Sequence, residues 1–207
     1  MGDYTQFVRA ANEFVRAHVP RLETDFGLPA GFIGSLADED DWSFVIKGHA
    51  LVEAAITELV SARVGHPELA KTFEATPLLG RSGKLRMAES LGLIEQPVTT
   101  FVRRLSELRN TLIHDVRRVT FAFPAYLQTL DHNECRSFES ALIYLRPDAA
   151  IGPLPPSTYA HFKTFVWFNL TVIMIMLNSR RSIEEKNKMI MALEAQIGRS
   201  AGRPPAP

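Results

Sequence analysis

The sequence predicts an all-α domain. Three observations carry that expectation. Apolar residues recur at steps of three and four over long windows, and Gly- and Pro-containing stretches punctuate those windows. In addition, only one short stretch, "VTFAF" at 119–123, has the β-branched and aromatic character of an extended segment.

Taken in order, Phe7, Val8, Ala11, Phe14, Val15 and Val19 predict a helix over 4–19 that Pro20 is expected to close. "PRLETDFGLPAGFIGSLADEDD" follows; its two prolines, three glycines and acidic cluster read as a flexible connection. Helical signal resumes at residue 41, with Asp40 or Asp41 as cap and Trp42, Val45, Ile46, Leu51, Val52, Ala55, Ile56, Leu59 and Val60 on a period near 3.6. Gly65 is placed to end that helix as a C′ residue. "HPELAKTFEATPLLG" suggests a short helix and a Pro-containing break, and "RSGKLRMAESLGLI" a compact helix capped near Ser82 and ending at Gly92.

From Gln96 to about Ile113, Val98, Phe101, Val102, Leu105, Leu108 and Leu112 trace a long amphipathic helix. After "VTFAF", stopped by Pro124, residues 125–145 look helical, with Asp131 as a cap. "RPDAAIGPLPPSTY" is a loop with four prolines. Ser157 or Thr158 opens an apolar helix to about Asn178, and "RSIEEKNKMIMALEAQIG" is a separate final amphipathic helix. The organisation is therefore an N-terminal helix with a flexible connection over 1–40, a helical domain over 41–198 and a disordered tail over 199–207.

Totals bound the function. At 207 residues, 46% apolar and 22% charged, the chain has ordinary globular composition. Lys+Arg and Asp+Glu are equal at 23 each, so no overall cationic field attracts nucleic acid and any such contact must be local. Cys135 is the only cysteine, which excludes an internal disulfide and a multi-cysteine zinc site and favours the reducing cytoplasm. The first residues lack the basic and apolar regions of a signal peptide, and Gln6 breaks the myristoylation pattern. The apolar run "FVWFNLTVIMIML" has 13 residues including Asn169, against the ~20 needed to span a bilayer. It reads as a core helix, alone or with a share in a dimer seam, and no membrane partner is expected.

Chemistry concentrates in "LSELRNTLIHDVRR", residues 105–118. On a regular helix Asn110 and His114 form an i,i+4 pair on one face, while Arg109 lies about 140° around the axis from His114. Arg109 and His114 thus converge only if the helix ends or kinks there, or if two copies meet. Cutting an RNA backbone without metal needs a group titrating near neutrality to take a proton from the 2′-hydroxyl, which suits His. It also needs a fixed cation for charge growing on the phosphate, which suits Arg. Asn110 can orient either group. Arg103, Arg104, Arg109, Arg117 and Arg118 outnumber Glu107 and Asp115 here, and Arg81, Lys84 and Arg86 add to the patch if their helix packs nearby. The same residue types also serve simply to satisfy a helix C-terminus.

The order "IKGHALVEAAITELV", "LLGRSGKLRMAESLGLI", "LSELRNTLIHD" resembles the HEPN superfamily, whose signature is an Arg and a His with four to six residues between them. It is closest in pattern to relatives of the mannitol operon repressor, over about residues 41–118. The resemblance implies a helical bundle paired as a homodimer, with Arg109, Asn110 and His114 as the catalytic residues. It implies RNA cleavage with no metal or cofactor, in a toxin or phage-defence setting, with an antitoxin or other protein as a further partner. The alternative it leaves is a noncatalytic module that binds a protein or regulates transcription. Elsewhere, His49 and Glu53 are an i,i+4 pair with too few ligands for a metal, so a surface or interhelix hydrogen bond is expected for His49. His132, Glu134 and Cys135 lack metal-motif spacing, and Cys135 reads as a small buried or half-buried residue.

Overall fold

The computed structural model describes residues 2–66, 69–142 and 161–200. The helices are α1 (Gly2–Asp25), α2 (Phe32–Ser35), α3 (Asp41–Val64), α4 (Ala70–Ala75), α5 (Lys84–Ser90), α6 (Gln96–Ile113), α7 (Phe123–Thr129), α8 (His132–Ser140) and α9 (Phe162–Ser200). A 3-10 turn, Val116–Thr120, links α6 to α7, and no strand occurs among the described residues. The all-α expectation holds.

α3 is the central element. Phe44, Val45, Leu51, Val52, Ala55, Ile56, Leu59 and Val60 are all buried, so its apolar surface must be covered on several sides. α9 covers one side, and α5 and α6 another. A side-chain carbon added at Gly48 would lie 2.9 Å from Leu170 Cδ2, so the missing side chain is what lets α9 approach. Both ends of α3 follow local chemistry. The Asp40 carboxylate accepts from Ser43 N at 2.9 Å, and Gly65 closes the helix at φ 75°.

α6 buries Val98, Phe101, Val102, Leu105, Leu108 and Leu112, the six residues its periodicity selects. α5 is entered differently from the sequence expectation. Gly83, not Ser82, is the N-cap and offers no side-chain bond; Lys84 N and Leu85 N instead donate to Pro77 O and Leu78 O at 2.9 and 3.0 Å. A side chain at Gly83 would collide with the Leu78–Leu79 backbone, so this seat requires glycine.

Four other segments depart from expectation. α1 runs through Pro20 to Asp25, and the stretch read as a flexible connection is packed. Within that stretch, Glu23 accepts from Gly31 N and Ile33 N, each at 2.8 Å, Trp167 Nε1 donates to Ile33 O at 2.7 Å, and Leu22, Ile33 and Leu36 join the main core. Residues 119–123 form no strand: Val119 and Thr120 close the 3-10 turn, only Phe121 and Ala122 have extended backbone, and Phe123 opens α7, whose first turn takes Pro124. Phe121 and Phe123 enter an aromatic cluster with Phe44, Tyr126, Phe138 and Phe162, ring centroids 5.1–6.4 Å apart.

Residues 125–140 form two helices, with Asp131 and Glu134 closing a capping box at the start of α8. The two expected C-terminal helices are one 39-residue helix, because no glycine or proline separates Asn178 from Ile183. Its Phe162–Glu194 portion is long and apolar enough to cross a membrane, yet 67% of the most apolar window is buried inside the bundle. The proline-rich loop and the expected tail after 200 lie outside the described residues.

Candidate functional site

α6 stays regular to Ile113, and His114, its C-cap, still has near-helical backbone angles (φ −85°, ψ −5°). The helix therefore neither kinks nor ends early enough to swing His114 toward Arg109. Asn110 and His114 share an exposed face, while Arg109 sits half-buried on the flank nearest α3. Arg109 Nη1 donates to Asn110 Oδ1 at 3.0 Å, so Asn110 sets the direction of the guanidinium. Among the described residues His114 has no hydrogen-bond partner, leaving both ring nitrogens open to solvent.

Asp115 does not serve His114. Its carboxylate accepts from Arg117 N, Nε and Nη2 at 3.1, 2.9 and 3.1 Å and has Arg118 Nε 3.7 Å away. The Arg117 hydrogen bonds are the main reason its acidity is held below the ordinary carboxylate range. Arg117 and Arg118 are thereby tied to the turn after α6. Arg104 is tied as well, to Ser137 and Glu107. An exposed apolar rim adjoins the motif: Ile113 is 39%, Val119 53% and Val116 82% accessible.

Beneath Arg109 lies a buried polar cluster that joins α3, α5 and α6. His49 Nε2 lies 3.1 Å from Ser106 Oγ, whose own proton goes to Val102 O at 2.8 Å. That arrangement makes Nε2 the protonated nitrogen and turns Nδ1 toward Glu53 Oε2, 3.8 Å away. Glu53 Oε1 is in turn 3.0 Å from Lys84 Nζ. Lys84 is 2% exposed, so it is not part of the surface basic patch the sequence suggested. Of the two bonds expected for His49, the interhelix one is present. The burial of Lys84 was missed; its one sequence signal is that it stands four residues before the buried Ala88 on the apolar side of α5.

Burial pushes the His49 imidazole below its ordinary value of 6.5; Glu53 opposes this, and the nearby Arg109 and Lys84 cations reinforce it. Below 6.5 the unfolded chain takes up the proton first, so it holds more protons than the folded state. The stability due to a neutral His49 is thus complete above 6.5 and lost as pH falls toward the depressed folded value. Replacing His49 with Gln is expected to flatten that loss, measured as urea midpoints between about pH 5 and 7. Unchanged steepness in the variant would reject the assignment.

Among the described residues no three His, Cys, Asp or Glu side chains are grouped to hold a metal ion. Comparison with protein-family models, curated proteins and solved structures finds no match to this chain. Its function is accordingly read from its own residues.

Proposed function

We propose that this chain is a HEPN-like, metal-independent endoribonuclease, active as a homodimer in the cytoplasm in a toxin or phage-defence role. The supporting observation is the pairing of an Asn-oriented Arg109 with an unencumbered His114 at the end of one helix. His114 exchanges the proton of the RNA 2′-hydroxyl and leaving group. Arg109 holds the scissile phosphate and stabilises its growing charge, and Asn110 keeps the guanidinium aimed. A regular α6 separates Arg109 and His114 by about 140°. In this reading the site is completed by a second copy, which sets Arg109 against the partner's His114. The apolar rim of Ile113, Val116 and Val119 supplies a seam beside the motif.

That same rim favours a second reading, a noncatalytic HEPN-like module that binds an antitoxin or other protein, or regulates transcription. RNA cleavage in EDTA by the wild-type protein, beside Arg109→Ala and His114→Ala, separates the two. The nuclease reading expects cleavage that falls by about 10²–10⁴-fold in each folded variant. Absence of cleavage across several RNAs by the wild-type homodimer would sink it in favour of the binding module.

A further inference from the structure

Arg81, Arg86 and Arg103 line one open groove between the loop before α5, α5 itself and α6. All three are exposed, and none has an ion pair or hydrogen bond among the described residues. Two carboxylates reach the same groove, but Glu107 is engaged by Arg104 at 2.9 Å, leaving Glu89 as the only counter-charge there. Unpaired guanidinium groups gathered in this way on a chain of zero net charge make a local anion-binding surface. The groove is about 360 Å³ and open. Its cations stand on three successive elements, the loop before α5, α5 and α6, which suits an extended polyanion.

Helical register ties the groove to the motif. Arg103, Glu107, Asn110 and His114 follow one another on α6 at steps of four, three and four, and so share a face. Arg103 and His114 are about 16 Å apart along that face at the rise of an α-helix. We propose that this groove is the track for single-stranded RNA, with backbone phosphates on Arg81, Arg86 and Arg103 and the chain running along α6 to His114. The proposal rests on the reading of α6 as an RNA-handling helix and adds the subsite that holds the strand beyond the scissile phosphate. Leu79, half-buried in the same groove, gives ribose and base an apolar contact.

The test is fluorescence anisotropy of a labelled single-stranded RNA dodecamer, titrated in a His114→Ala background so that no strand is cut. The full chain is compared with and without the triple change Arg81→Gln, Arg86→Gln, Arg103→Gln. Because the three side chains are exposed, folding is expected to be unchanged, checked by circular dichroism. Loss of three phosphate contacts should weaken binding at least tenfold and make the slope of log K against log salt shallower by about 2. Equal affinity and slope in the two proteins would overturn the track. So would a duplex DNA of the same length that binds as tightly as the RNA.

Cleavage by the wild-type chain, measured in parallel, separates this proposal from the one it extends. Cleavage together with groove-independent binding would leave the nuclease standing and remove the track. Groove-dependent RNA binding without cleavage would do the reverse. Failure to bind RNA at all would remove both.

Discussion

Arg109→Ala and His114→Ala chains, each almost inactive alone, are expected to recover about a quarter of wild-type RNA cleavage when co-expressed and purified as a mixture. The reason is geometric. α6 is regular to Ile113, and the His114 backbone remains near-helical, so one protomer keeps Arg109 and His114 on different flanks. In a two-fold pair each site then combines Arg109 of one copy with the partner's His114. A mixed dimer has one site with both residues lost and one with both intact. Half of randomly assorted dimers are mixed, which gives the expected quarter. If each site instead drew both residues from one protomer, every site in the mixture would lack one of them and no activity would return. Native mass spectrometry of the same sample, with one variant carrying an affinity tag, shows whether mixed dimers have formed. A recovered dimer that stays inactive therefore counts against the composite site.

The second large effect concerns Lys84 and Glu53. Replacing Glu53 with Gln is expected to destabilise the fold by about 2–3 kcal/mol, whereas Lys84→Met should cost less than about 1 kcal/mol. Lys84 is 2% exposed and lies 3.0 Å from Glu53 Oε1, so the Gln variant leaves a buried ammonium without its anion. Glu53 is 34% exposed, and water already shares the pair, so the figure is set below that for a wholly buried bridge. Met removes the cation and fills most of its volume with apolar atoms, while Glu53 keeps solvent and the His49 ring nearby. Urea midpoints of both variants at neutral pH decide the order. A larger loss in Lys84→Met would mean that attraction within the pair outweighs the penalty of burying the ammonium. The Met variant also removes one of the two cations that hold His49 neutral. With the folded imidazole brought closer to its ordinary value, the variant's acid-induced loss of stability should be smaller and level off at higher pH than in the wild type.

Much of the helical framework was legible in the residues because it depends on chemistry within four positions. Asp40 caps α3 through Ser43, Gly65 closes it, and Asp131 and Glu134 cap α8. The apolar period of α6 named its buried face residue by residue. The same register placed Arg109 and His114 apart, and the structure keeps them so. Gln96–Ile113 could be delimited from sequence since its start, stripe and end are all local signals.

Tertiary structure decided the rest, in each case through partners distant in sequence. Residues 20–40 carry the glycines and prolines of a loose connection, yet Glu23 binds two backbone amides there and Trp167 holds Ile33 O. "VTFAF" has strand-like residues but no neighbouring strand among the described residues, so Phe123 packs against Phe44 and Phe162, and Phe121 against Phe123 and Tyr126. α9 continues past Asn178 because nothing in the chain breaks it. Lys84, which composition assigns to the surface, is buried because α5 packs on α3 opposite Glu53. Arg81, Arg86 and Arg103 become one groove only when α5 lies against α6. Periodicity and capping act between near neighbours, and they suffice for the helices and for the angular placement of the motif. Which charges are buried, which are paired and which stand free in a groove was decided by contacts between helices, a property that no stretch of the chain carries alone.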